Sequence, residues 1–74
     1  MVVHCMCEEV DGRILFRADR PRDIGQVFLG LTFAQASAAF RRSLASEFGG
    51  KVRSAGFHKC GPGLRSVSYV IKQG

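Results

Sequence analysis

Residues 32–50, TFAQASAAFRRSLASEFGG, decide how the rest of this chain is read. Thr32 followed by Gln35 forms a capping box: the hydroxyl accepts from the third helical N–H, and the amide side chain reaches back to the cap N–H. Phe33, Ser37, Phe40, Leu44 and Phe48 then recur at three-to-four spacing and line one apolar stripe. Gly49-Gly50 supplies a left-handed stop. The outward side carries Ala34, Ala38, Ala39 and Ala45, interrupted by Gln35, Arg42 and Ser46. Alanine is the strongest intrinsic helix former, which accounts for that face by itself. A flat alanine surface also admits a second helix, so the face is a candidate contact with a homodimer mate or a partner.

On the amino-terminal side, Val2–Val10 and Arg13–Ala18 read as strands around Asp11-Gly12, a two-residue turn of the type that needs positive φ at both central positions. Pairing across it sets Val10 opposite Arg13, Glu9 opposite Ile14 and Cys7 opposite Phe16. Val3, Cys5, Cys7, Ile14, Phe16 and Ala18 then share the core face. Asp19–Asp23, with Pro21, reads as a loop. Ile24–Leu31 fits both helical and alternating spacing, and a short strand over Gln26–Leu29 is the better fit to so short a run. On the carboxy-terminal side, Lys51–Cys60 and Leu64–Lys72 form a second hairpin around Gly61-Pro62-Gly63. A three-residue loop pairs Cys60 with Leu64, Phe57 with Val67, Ala55 with Tyr69 and Arg53 with Ile71. The expected core face is Ala55, Phe57, Val67, Tyr69 and Ile71, with Val52, His58 and Cys60 on the other side. The expected fold is a single α+β domain over residues 1–74, ββ(β)αββ, with one amphipathic helix on one face of an antiparallel sheet.

A chain of 74 residues has a small core, and such domains often gain stability by dimerising or by holding a metal or disulfide. The amino-terminal stretch has no basic, apolar leader pattern and no segment reads as a membrane span, so a cytoplasmic location is expected. Three cysteines, an odd number, favour reduced thiols.

Charge is divided unevenly. Residues 1–31 hold four arginines against five carboxylates. Residues 32–74 hold Arg41, Arg42, Lys51, Arg53, Lys59, Arg65 and Lys72 against Glu47 alone, and the chain carries +5 overall. Such a field attracts polyanions. The seven cations are therefore the candidate nucleic-acid or anion-binding residues, acting by phosphate neutralisation and counterion release. The same charges read equally as solubilising surface groups. A small inhibitor or adaptor of the kind mobile elements encode, meeting an acidic or nucleic-acid-binding protein, is the competing expectation. Phe16, Phe33, Phe40, Phe48 and Phe57 all fall on predicted core faces, which favours duplex or backbone recognition over stacking on single strands.

Other constellations are weaker. Cys5-x-Cys7 and His58-x-Cys60 each present two zinc-ligand types on one side of a strand, but the two pairs fall on opposite faces of the predicted sheet, and buried cysteine is commonly just a small hydrophobe. The stretch from Cys60 to Ser66 resembles the phosphate-cradling Cys-x5-Arg loop of tyrosine phosphatases. Only four residues separate Cys60 from Arg65, however, and Pro62 removes a backbone donor. His4 and His58 read as surface strand residues. No nucleophile–base arrangement is visible, so neither an enzyme nor a cofactor is expected. Through Val10-Asp11-Gly12 and Leu31–Phe48, the order hairpin, short strand, capped helix loosely resembles the amino-terminal half of HicB-like antitoxins. That resemblance stops at Gly49.

Overall fold

The computed structural model describes residues 1–73. Three strands, β1 (Val2–Val10), β2 (Arg13–Ala18) and β3 (Ile24–Leu29), precede the helix α1 (Phe33–Phe48). Two more, β4 (Gly50–Gly61) and β5 (Leu64–Gln73), follow it. The strands form one antiparallel sheet in the order β3-β2-β1-β5-β4, with α1 against one face, an α+β fold. The ambiguous stretch after Asp23 is a strand, pairing Leu15 with Val27 and Phe16 with Gln26.

The helix is closed at both ends as its sequence requires. Gln35 N–H donates to Thr32 Oγ1 at 3.1 Å and Thr32 N–H donates to Gln35 Oε1 at 2.9 Å. Gly49 takes φ 69°, ψ 40°, and its N–H donates to the Ala45 carbonyl. The Gln73 amide donates to the Phe48 carbonyl at 2.8 Å, satisfying one more terminal acceptor. Arg22 grips the same end, bonding Glu47 at 2.8 Å while lying 4.7 Å above the Phe48 ring.

The core is aromatic. Phe40 stacks on Phe16 at 4.8 Å and meets Tyr69 at 5.8 Å. Val3, Cys5, Cys7, Ile14, Ala18, Leu44, Val67 and Ile71 surround them. Ala36 belongs to this core, and the predicted stripe omitted it. Its small side chain lets the first turns approach the sheet. Ser37 is half-buried at the stripe's margin and shares a hydrogen bond with the Tyr69 hydroxyl at 2.8 Å, which supplies that phenol with a partner.

The first hairpin has the expected register, with Asp11 and Gly12 at φ 50° and 75°. The second departs from it. Its turn has two central residues, Pro62 and Gly63, because Gly61 pairs with Leu64. Irregularities lie between Lys59 and Gly61 and between Ser54 and Gly56. Phe57 still faces Val67, but Ser54, not Ala55, pairs with Tyr69, and Val52, not Arg53, pairs with Ile71. A bulge adds one unpaired residue and reverses the facing of everything beyond it. Val52 therefore turns toward the helix, where it packs on the core, and Arg53 turns to the open side. Phe57, expected in the core, is 55% exposed.

Gly63 is the tightest point of this hairpin. It has φ +67°, its carbonyl accepts from Glu9 N–H at 2.7 Å, and a Cβ there would stand 2.7 Å from the Glu9 carbonyl oxygen. Gly61 has open space around it. Gly63→Ala is expected to destabilise the protein by about 1–3 kcal/mol, while Gly61→Ala changes stability by less than about 1 kcal/mol. Equilibrium urea unfolding of the two variants measures the difference.

Candidate nucleic-acid interface

Register and alternation assign every strand side chain to a face. Cys7 is buried against the helix side, so the residues paired with it and its alternates face that way too. The other face is covered by no element. It presents Arg13, Leu15 and Arg17 from β2, and Val27 and Leu29 from β3. From β1 it presents Val2, His4, Met6, Glu8 and Val10. Leu64, Ser66, Ser68, Val70 and Lys72 come from β5, and Lys51, Arg53 and His58 from β4.

The seven candidate cations are divided among three places. Lys51 and Lys72 are direct cross-strand partners on the open face, and Arg53 lies beside them, paired with Val70. Arg41 and Arg42 lie on the opposite layer, where with Ala38, Ala45 and Val52 they line an open groove of about 330 Å³ between α1 and β4. Lys59 and Arg65 face each other across β4 and β5 on the helix side, at the far end of the hairpin. The seven cations therefore do not share one surface. Arg53 was expected on the helix side, and the Ser54/Gly56 irregularity is what moved it.

The structure adds two cations that the charge count set aside. Arg13 and Arg17 lie within the acidic segment 1–31, yet both stand on the open face, where Glu8 is the only carboxylate among the described residues. Their local neighbours Asp11 and Asp19 sit in the turn and loop at its rim. Alternation along β2 was enough to place both arginines on this side. The charge tally hid them because it grouped residues by sequence position and not by face.

Arg65 is already engaged. Its Nη1 donates to Glu9 Oε1 at 3.2 Å, and its guanidinium lies 4.3 Å from the Phe33 centroid and 5.9 Å from that of Phe57. This corner overturns the expectation that Phe57 lies in the core. Phe57 stands exposed beside two cations, and no spacing rule marks it, because its pattern is that of a core residue.

Among the remaining constellations, Cys5 and Cys7 are buried in the core and Cys60 is exposed. No group of three or more His, Cys, Asp or Glu side chains able to hold a metal occurs among the described residues. His4 Nδ1 lies 2.8 Å from Ser68 Oγ across β1 and β5, a hydroxyl–imidazole pair that sequence reasoning missed because its members are 64 positions apart. No helix among the described residues is long and apolar enough to cross a membrane. No protein-family model, curated protein or solved structure matches the chain.

Burial raises three titrations. Cys5 is pushed up to about 12, first by desolvation and then by Cys7. Desolvation raises Cys7 as well, against the opposing pull of Arg65. Desolvation takes Tyr69 to about 12 despite its bond to Ser37. The unfolded chain releases these protons nearer 9 and 10. Above about pH 9 the native state therefore binds more protons than the unfolded state, and stability falls as pH rises toward 12. The urea midpoint is expected to be lower at about pH 10.5 than at about pH 8, and Tyr69→Phe should reduce that difference.

Proposed function

We propose that the protein is a small non-enzymatic binding module of regulatory type. It holds nucleic acid by its phosphates, and a cytoplasmic setting suits that role. The observation that carries this reading is the uncovered sheet face, where Arg13, Arg17, Lys51, Arg53 and Lys72 are set, among the described residues, against Glu8 alone. Rows two residues apart along a strand stand about 6.6–6.8 Å from each other and neighbouring strands about 4.8 Å. The five cations are therefore spread over a surface wide enough to meet several phosphates at once. None of them is engaged in an ion pair among the described residues; Arg22 with Glu47 and Arg65 with Glu9 are the pairs present. Arg41 and Arg42 would extend the field around the β4 edge without joining the face.

A second reading is favoured by a different observation. Leu29 and Val27 are 69% and 54% exposed. Val27 borders a shallow hollow of about 280 Å³ with Val10, Leu15, Glu8 and Arg13. An apolar patch beside a cation suits an acidic protein partner or a second copy of the chain.

The test is fluorescence anisotropy of nuclease-treated protein with a labelled mixed-sequence duplex over a salt series. Engagement of five phosphates gives a slope of log K against log salt near roughly −4.5. Replacing Lys51, Arg53 and Lys72 together by Gln should reduce that slope by about 3. A flat salt response, or no binding at low salt, would overturn the reading and leave the apolar patch as the better guide.

A further inference from the structure

We propose that Phe57, with Lys59 and Arg65 beside it, is a stacking subsite for an unpaired base of single-stranded nucleic acid; this rests on the nucleic-acid reading above and specifies the form of ligand. Phe57 pairs with Val67 and so points to the helix side of the sheet. The helix begins at Phe33 and does not cover it. The two rings stand 5.6 Å apart at 56°, a tilted contact that supports Phe57 along one side and leaves it 55% exposed.

The surroundings of that ring are cationic. Lys59 lies two positions along β4 on the same side and pairs with Arg65. Lys59 makes no ion pair among the described residues. The Arg65 guanidinium is held between Phe33 and Glu9, with its side chain 21% exposed, and it offsets the one carboxylate at this corner. A phenylalanine more than half exposed, a fixed guanidinium 5.9 Å from its centroid and a free ammonium one step away match what a nucleotide presents: a flat base and, about one residue further on, a phosphate. Bases inside a duplex are already stacked on one another and present no face to the ring, so this corner distinguishes single strands from duplexes. An exposed phenylalanine on an edge strand also contributes little to the core, so its replacement leaves the fold in place.

The test uses the full chain with a mixed-sequence single strand of about 12 nucleotides carrying 2-aminopurine, whose fluorescence changes on stacking, and with the corresponding duplex. Phe57→Leu keeps the apolar contact with Phe33 and removes the aromatic face; Phe57→Tyr keeps the face. Phe57→Leu should bind the single strand roughly 5- to 100-fold more weakly, with the salt slope and duplex affinity unchanged and the 2-aminopurine signal lost. Phe57→Tyr should bind as the parent does. Lys59→Gln should lower the single-strand salt slope by about 0.7. Thermal unfolding of each variant confirms that it is folded. Unchanged single-strand affinity in Phe57→Leu overturns the subsite while leaving the phosphate-binding reading intact, as does equal weakening of duplex and single strand. Failure of the parent protein to bind either nucleic acid overturns both, and would assign the exposed ring to a protein contact.

Discussion

One helix serves a sheet of five strands, and most features of the surface follow from that ratio. An α-helix is about 10–12 Å across with its side chains, whereas the outer strands of a five-stranded sheet stand about 19 Å apart. The helix therefore covers mainly the middle three strands of one face, and the two outer strands only in part, through Ile24, Phe28 and Val52. Phe40 fixes where that cover falls, by stacking on Phe16 and meeting Tyr69. Residues beneath it are buried, and hydrophobic residues farther out are covered in part or not at all. Phe57 has the side chain and the facing of a core residue but lies past the start of α1. The opposite face has no cover at all, so Val27 and Leu29 remain exposed there while Phe28, between them, packs against the core.

The same geometry divides the charge. Net charge counts every cation alike, but a rigid ligand meets only those on one surface. Arg22 and Arg65 are spent locally, each bonded to a glutamate and laid over a phenylalanine ring. Such contacts hold the loop after β2 to the helix end, and the second hairpin to the first. Exposed ion pairs alone are worth little, but a guanidinium that also covers an aromatic ring excludes water from it. What remains is sorted by strand parity into an open-face group and a helix-side group, with β4 contributing to both.

The central elements were readable from the sequence because each has a local chemical cause. Thr32 and Gln35 specify the helix start, Gly49 its end, and Asp11-Gly12 the first turn with its register. The helix side of β1 and β2 followed by alternation. The errors gather in β4, also for a physical reason. Gly61-Pro62-Gly63 is compatible with a two- or three-residue turn, and the two-residue turn adopted is accompanied by a bond from Glu9 N–H to the Gly63 carbonyl, across strands distant in sequence. The irregularity beside Ala55 falls among Ser54, Ala55 and Gly56, small residues that carry no pattern strong enough to resist a one-residue shift. Adjacency of β1 and β5 is likewise a tertiary fact, and with it the approach of His4 to Ser68. The candidate site was less readable than the fold because it depends on those same facts: the facing of Arg53, the exposure of Phe57 and the engagement of Arg65.

The position of β4 gives the two surfaces a common boundary. It is an edge strand, paired only with β5, and its residues from Arg53 to Gly61 are all exposed. Arg53 faces the open side, while Phe57 and Lys59 face the helix side. A rigid duplex, if it lay on the open face, would reach the first group and be turned away from the second. A flexible strand crossing the β4 edge would reach both under the proposed reading, with Arg53 and Phe57 four positions apart on one strand, about 13 Å. That span corresponds to about two nucleotides of an extended chain, given the phosphate–phosphate reach of a single strand. The bulge that spoils the simple register thus has a constructive consequence: without it, Arg53 would share the side of Phe57, and the edge would carry its cations on one face only.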